Sequence, residues 1–210
     1  MLLERTDIPS FLFEDQAYNL GYRYVVGLDE SGRGPLAGPV VACACHIEKG
    51  ADLAGVQDSK LLDVDKRKEV YERLIRDPLV VFGVGIVESD AIDKSNILQA
   101  SMQAMLLALQ DLKQATDYLL VDGNFFPNTT LPGLALIRGD QRSVSVAAAS
   151  IIAKEVRDGL MREYHKKWPG YGFDEHKGYA TKGHILAVKL RGVSPIHRLS
   201  FEPIRSLVKQ

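Results

Sequence analysis

Tyr24-Val25-Val26-Gly27-Leu28-Asp29-Glu30-Ser31-Gly32-Arg33-Gly34-Pro35-Leu36-Ala37-Gly38-Pro39 runs from an apolar segment into two adjacent acids and then a glycine-arginine-glycine turn. A strand that ends in two carboxylates and bends at once has the composition of a built site. The glycines permit backbone shapes closed to other residues and let a ligand approach the chain closely. Arg33 offers a charged fork suited to phosphate. Its alternative role is a turn-stabilising ion pair with Glu30.

Outward from this stretch, residues 23–30 and 39–47 read as two strands joined by the turn. Val40-Val41-Ala42-Cys43-Ala44-Cys45-His46-Ile47 is apolar throughout, as a central strand requires. A charged helix is expected over 65–76, stopped by Asp77-Pro78. A third strand is expected over Val80 to Val87, where Gly83 and Gly85 alternate and mark a close backbone approach. Ser95 can cap a helix running to about Lys113, with Ile97, Leu98, Met102, Met105, Leu106, Leu109 and Leu112 at helical spacing. Tyr118 to Val121 and Leu134 to Ile137 complete the strands. A long helix is expected from about Ser143 to Trp168, then a Gly- and Tyr-rich loop over 169–180, a helix from Thr181 to Leu190, and an irregular tail. The order reads as α/β in one domain over 1–210, with its core at about 23–168 and a C-terminal region at about 169–210.

The 210 residues suffice for one domain with a full core. A hydrophobic share of 46% beside a charged share of 25% fits a soluble globular protein. No apolar stretch reaches the roughly 20 residues of a membrane span. Met1 to Asp7 lacks a cationic segment followed by an apolar one, so no secretory leader is expected. The two cysteines, Cys43 and Cys45, lie two apart on one strand and share a face, an arrangement poorly suited to a mutual disulfide. They fit buried thiols in the reducing cytoplasm.

The net charge of −1 hides an asymmetry. Residues 1–137 hold 12 Lys+Arg against 20 Asp+Glu, and residues 138–210 hold 14 against 7. The basic C-terminal third suits a polyanion. Solvated helix faces would explain it equally.

Three times a strand end carries an acid beside glycine: Asp29-Glu30 before Ser31-Gly32, Asp122 before Gly123, and Asp140 after Gly139. In an open α/β sheet, sites gather at strand ends. If these ends meet, four carboxylates share a site, and two such charges at about 4 Å repel by roughly 4 kcal/mol at an effective dielectric near 20. A cluster of this kind holds protons or cations. Oxygen ligands favour Mg²⁺ or Mn²⁺. Two ions about 4 Å apart can clamp the attacking and leaving oxygens of a phosphodiester. As isolated turn acids, the same residues would be structural.

The stretch Gly27 to Val41 resembles the first motif of bacterial ribonuclease HII. Asp58-Ser59-Lys60, Val121-Asp122-Gly123-Asn124, and Gly139-Asp140 followed by Ser145-Val146-Ala147-Ala148-Ala149-Ser150-Ile151-Ile152-Ala153-Lys154 are similar to its next three. His176-Lys177-Gly178-Tyr179 and Ser194-Pro195-Ile196-His197-Arg198-Leu199-Ser200-Phe201 resemble the last two. The motifs stand in order across about residues 20–205. Leu28 and Ser31 depart from the pattern, which has Val or Ile and Ala or Val there, without removing a functional group.

The resemblance implies a ribonuclease H-like fold: a five-stranded mixed sheet flanked by helices, with a C-terminal helical extension. It implies an endonuclease that hydrolyses the RNA strand of RNA–DNA hybrids. It also implies nicking 5′ to single ribonucleotides embedded in duplex DNA, which leaves 3′-hydroxyl and 5′-phosphate ends and serves ribonucleotide removal. By position, Asp29, Glu30, Asp122 and Asp140 would be the catalytic and metal carboxylates, with two ions during catalysis. Gly32, Arg33 and Gly34 would read the 2′-hydroxyl, the group that separates RNA from DNA. Tyr179 would pack on the neighbouring sugar, unless it is an ordinary loop aromatic.

Lys60, Lys154, Lys177, Lys182 and Arg198 are candidate phosphate contacts, against the alternative of plain solvation. Ser145 and Ser150 either contact phosphate or fit a tight helix. The five histidines show no zinc spacing with cysteine. His176 is either a site residue or a packed one. Substrates apart, no protein partner is indicated, and a monomer is expected.

Ribonuclease HIII is a near rival, but it carries a further N-terminal domain and a lysine in the glycine turn. Exonucleases of related fold separate their first two acids by one residue. A non-catalytic hybrid-binding module would not carry four carboxylates, which repel nucleic acid without cations.

Overall fold

The computed structural model describes residues 8–208. The leader reading at Met1 to Asp7 lies outside them. The apolar run before the acids is strand β1 (Val25–Ser31), and the run after the turn is β2 (Val40–Ile47). They pair antiparallel, with Asp29 opposite Cys43 and Glu30 opposite Ala42. β3 (Val80–Val87) pairs antiparallel with β2. On the other side, β4 (Tyr118–Asp122) lies parallel to β1, and β5 (Gly133–Leu136) parallel to β4. The order β3-β2-β1-β4-β5 is the five-stranded mixed sheet that the resemblance implied.

Helices cover both faces. Strand alternation sends Leu28, Ala42 and Ala44 to one side, where they meet Ala100, Ala104 and Met105 of α4 (Ile97–Asp111). Cys43 and Cys45 turn to the other side, against Ala148 and Ile152 of α5 (Val144–Lys167). Both cysteines are buried and free. Every residue of β2 is therefore buried, which explains its unbroken apolar run. A Cβ at Gly83 or Gly85 would run into the backbone of Ala104, Ala108 or Leu112. The alternating glycines are the close approach expected of them, and they let α4 lie flat on β3.

Local signals hold at several helix starts. Asp63 caps α2 (Val64–Leu74) by accepting from the Lys66 amide at 2.9 Å. Ser143 caps α5 through the Val146 amide at 3.2 Å. Thr181 caps α7 (Lys182–Arg191) through the His184 amide at 3.2 Å.

Elsewhere the expectation needs correction. The helix expected from Ser95 to Lys113 is α4, and a further short helix that was not expected, α3 (Ser89–Lys94), precedes it. Asn96, not Ser95, caps α4, accepting from the Gln99 amide at 2.9 Å. The Ser95 hydroxyl instead donates back to the Ala91 carbonyl at 2.9 Å and closes α3. The loop over 169–180 contains the short helix α6 (Phe173–His176), and the tail expected to be irregular contains α8 (Ile204–Val208).

Helix α1 (Leu12–Asn19) was not anticipated. Its buried Glu14 reaches the start of α5, where one carboxylate oxygen accepts from both the Ser143 and Ser145 hydroxyls at 2.6 Å. The reason for α1 is thus tertiary. Ser145 serves this helix start, the second of its two expected alternatives. Among the described residues, no helix is long and apolar enough to cross a membrane.

Candidate active site

β1 and β4 end side by side. Leu28 pairs with Val121 in parallel register, so the next residues along the two strands are Asp29 and Asp122. β5 runs on from Leu136 into a short helical turn over Gly139–Gln141, which carries Asp140. The Gly139 amide donates to Asp122 Oδ1 at 2.6 Å, tying that turn to the end of β4. Three separate strand ends therefore deliver the four predicted acids to one edge of the sheet.

Their electrostatics record the crowding. Burial pushes the Asp29 carboxyl well above its usual range, and the charges of Glu30, Asp122 and Asp140 add to this, while a hydrogen bond from Ser150 works against it. Burial also raises Glu30, opposed by Arg33 and reinforced by Asp122. Asp140 is pushed up to about 6 by burial, Asp122 and Asp58, with Lys60 opposing. Groups that raise one another's pKa in this way favour a proton or a cation between them.

Asp58 belongs to the cluster and was not singled out as a site residue. It is buried, accepts from its own loop through the Lys60 amide at 2.9 Å, and accepts from Gln141 Nε2 at 3.1 Å. Its place directly before Ser59 and Lys60 marks the loop, but only the folded loop brings it to the acids. Lys60 Nζ lies 3.5 Å from Asp140 Oδ2 while remaining largely exposed, so it meets the acids as well as solvent.

The glycine turn stands on two buried arginines. Arg198 donates from Nε to the Gly38 carbonyl at 3.0 Å, from Nη1 to the Arg33 carbonyl at 3.0 Å, and from Nη2 to the Gly32 carbonyl at 2.6 Å. Arg157 of α5 donates to the carbonyls of Pro39, Ala37 and Lys177 at 3.0, 3.2 and 3.1 Å. Both side chains are fully enclosed. The expectation that Arg198 meets a phosphate is corrected here: each of its guanidinium nitrogens is engaged by a backbone carbonyl behind the turn. Burial and the adjacent Arg157 charge pull Arg198 down to about 9, so it stays protonated near neutrality. Arg157 stands among Lys154, Glu155 and Asp158 in the charged half of α5, so nothing in the local sequence marks it as buried.

Gly32 has φ +100°, and a Cβ there would meet the Arg157 side chain and the Pro39 carbonyl. Only glycine fits both demands. With the carbonyls of Gly32 and Arg33 drawn inward to Arg198, the turn presents its other face outward. Arg33 pairs with Glu30 at 3.0 Å, the second of its two expected roles, while its side chain stays about half exposed.

Tyr179 stands beside this turn. A Cβ at Gly34 would lie 3.9 Å from Tyr179 Cε1, and the Leu36 amide donates to the Gly178 carbonyl at 2.8 Å. Tyr179 is 44% exposed. Lys154 Nζ lies 5.9 Å from its ring centroid and pairs with Asp158 at 2.8 Å. Lys177 adopts a left-handed backbone with φ 52°, its ammonium donates to the Asp174 carbonyl, and burial lowers its pKa. Lys182 is exposed at the start of α7. Ser150 is buried, with its hydroxyl 2.9 Å from Ser59 Oγ, and so links α5 to the Asp58 loop. His176 is a packed histidine: its Nδ1 accepts from the Gly178 amide at 3.1 Å and its ring stacks on His184.

Hard-cation chemistry fits this donor set, since the acids are oxygen ligands, buried and mutually repelling. Among the described residues, no three His, Cys, Asp or Glu side chains close into a ready metal cage. Glu30 is turned toward Arg33, Asp29 accepts from the Glu30 amide at 2.7 Å, and Asp122 accepts from Gly139. The arrangement is an open cluster whose lone pairs are partly engaged by the protein itself.

A mixed five-stranded sheet that gathers acids from β1, β4 and the turn after β5 defines the ribonuclease H-like class of phosphodiester hydrolases. The chain belongs to the ribonuclease HII family: the family model described as Ribonuclease HII matches residues 26–204. A ribonuclease HII of Chlamydia muridarum (strain MoPn / Nigg) is 51% identical over 199 residues, covering 95% of this chain and 91% of that protein. The ribonuclease H2 crystal structure from Pyrococcus horikoshii OT3 superimposes with a TM-score of 0.72 at 26% identity, covering 89% of this chain and 98% of that one. Bst-RNase HIII, solved in complex with Mn²⁺, shares the fold with a TM-score of 0.66 at 19% identity, covering 92% of this chain and 71% of that one. The activity is that of a ribonuclease H, an endonuclease acting on the RNA of RNA–DNA hybrids.

Proposed function

We propose that this enzyme also nicks 5′ to a single ribonucleotide in duplex DNA, leaving 3′-hydroxyl and 5′-phosphate ends, and that it serves ribonucleotide removal. The observation that carries this reading is the nearness of the exposed Tyr179 ring to Gly34 of the turn, where a Cβ would lie 3.9 Å from Tyr179 Cε1, immediately beyond the acids of β1. A substrate strand crossing this strip meets the turn, the aromatic ring and the acids together. The 2′-hydroxyl is both donor and acceptor, so backbone groups of Gly32, Arg33 and Gly34 can test for it. The Tyr179 face packs on the adjacent sugar and favours deoxyribose there.

Asp29, Glu30, Asp122 and Asp140 would hold Mg²⁺ or Mn²⁺, two ions during catalysis, which supply charge neutralisation and an activated water. The Mn²⁺ complex of Bst-RNase HIII supports a divalent ion in this fold. Asp58 and Lys60 set the charge around Asp140. Lys154 and Lys177 flank Tyr179 and offer positive charge to the strand backbone. Lys60 does the same from the opposite loop, and Ser150 orients Asp29. The chain acts as one catalytic unit, as a monomer. Its free, buried Cys43 and Cys45 support a cytoplasmic setting.

The test uses three duplexes: one with a single embedded ribonucleotide, one RNA–DNA hybrid and one all-DNA, each with and without Mg²⁺ or Mn²⁺. Metal-dependent cutting on the 5′ side of the lone ribonucleotide is the expected result. Equal cutting of the all-DNA duplex overturns the reading.

A further inference from the structure

Three histidine rings from separate segments cluster next to the Tyr179 backbone. His176 and His184 lie 4.3 Å apart between centroids at 15°, and His184 and His197 lie 5.1 Å apart. Their protonation is set by backbone groups that can play one part only. The Ser194 amide can only donate, and it lies 2.8 Å from His197 Nδ1. The Ser194 carbonyl, an acceptor only, lies farther from Nδ1 at 3.3 Å and already accepts from the His197 amide at 3.1 Å, so the shorter amide contact decides: Nδ1 accepts, and His197 carries its proton on Nε2. The Tyr179 carbonyl can only accept, and it lies 2.9 Å from His184 Nδ1, so His184 carries its proton there. The two Nε2 atoms are 3.0 Å apart, which makes His197 the donor and His184 the acceptor. Hydrogen bonds then run in one direction: Ser194 to His197, His197 to His184, His184 to Tyr179.

The direction holds only while both rings are neutral, because a second proton would set two N–H groups against each other. Burial keeps them so, holding His197 down to about 4 and His184 below its usual range. The Tyr179 backbone is held at two further points: its amide donates to the His176 carbonyl at 2.9 Å, and its carbonyl also accepts from the Thr181 amide at 2.8 Å. The ring makes no comparable bond: the residue is exposed, and its ring faces Lys154 Nζ across 5.9 Å. Its place beside Gly34 therefore depends on how its backbone is held.

We propose that His184, aligned by His197, is a positioning residue for substrate selection: its Nδ1–H fixes the Tyr179 carbonyl and thereby sets the ring against the glycine turn. This rests on the reading of Tyr179 as the sugar-packing residue.

Two substitutions separate the halves of the His184 ring. In His184→Asn the amide nitrogen can stand where Nδ1 stands and keep the bond to Tyr179. In His184→Gln the amide reaches the Nε2 position, keeping His197 but removing the bond to Tyr179, whose carbonyl is then left with the Thr181 amide alone. A single net hydrogen bond is worth up to about tenfold in an equilibrium. His184→Gln is expected to lower kcat/KM on a single-ribonucleotide duplex, relative to a long hybrid, by up to about tenfold. His184→Asn is expected to hold that ratio within about twofold. Equal ratios in the two variants overturn the proposal.

Nitrogen NMR of the wild-type rings provides the second measurement, should His184→Gln fail to fold. A proton on His184 Nδ1 and on His197 Nε2 is expected, and the reverse tautomers overturn the proposal. If the tautomers are as assigned but Tyr179→Ala leaves the substrate ratio unchanged, the sugar-packing reading fails instead.

Discussion

Arg198 Nη2 donates to the carbonyl oxygen of Gly32 at 2.6 Å, across 166 positions of sequence. The C-terminal segment is thereby the floor of the turn that follows the acids of β1. Arg198 also carries the Gly38 and Arg33 carbonyls, so its removal would leave three inward carbonyls without partners.

Each buried polar group left unsatisfied costs about 1–3 kcal/mol. Arg198→Ala is expected to destabilise the protein by roughly 3 kcal/mol or more, read by urea denaturation. Arg198→Lys should recover only part of this, because an ammonium lacks the planar fork. Wild-type stability in Arg198→Ala would show that the turn holds its shape unaided.

Asp29→Asn is expected to lower turnover at least about 100-fold while hybrid binding is retained, the scale of losing one designed electrostatic contact to the reacting group. Removing divalent ions with a chelator should abolish cleavage, and adding Mg²⁺ or Mn²⁺ should restore it. Unaltered turnover in the variant would take Asp29 out of the mechanism.

Gly85→Ala sets a methyl against the Ala104 carbonyl and the Ala108 amide. Overpacking of a core typically costs about 1–3 kcal/mol, and rigid backbone neighbours put this site at the upper end. The expected result is a lowered denaturation midpoint with unchanged kcat on the folded enzyme. A midpoint equal to that of the wild type would mean that α4 can shift away from β3.

His197 makes stability depend on pH. Its folded pKa of about 4 lies below the ordinary 6.5, because burial and His184 disfavour its charged form. Its stabilising contribution is therefore complete above about pH 6.5 and is lost as pH falls toward 4, as the unfolded chain takes up a proton that the folded chain refuses. A separation of this size corresponds to roughly 3 kcal/mol across that window. His197→Gln should flatten the stability profile between pH 6.5 and 4, and an unchanged slope would assign it to other groups.

Alternation and turn chemistry were legible without coordinates. The apolar run of β2 announced a strand covered on both faces, and Gly83 and Gly85 announced the close approach of α4. Asp29, Glu30, Asp122 and Asp140 could be named because each follows a strand and adjoins glycine or another acid. Helix α1 was not legible, because Glu14 is explained only by Ser143 and Ser145 far along the chain. Arg198 misled for the same reason. An arginine in a basic segment reads as exposed until the carbonyls it serves are seen.

By itself, then, the sequence determined the five strands, the long helices α4 and α5, the acids and the family, since these depend on neighbours along the chain. The tertiary structure alone decided that Arg157 and Arg198 face inward, that Asp58 joins the acids, and that Tyr179 stands beside the glycine turn. Burial of a charge and the partner of a hydrogen bond are properties of distant segments brought together, and a linear pattern does not contain them.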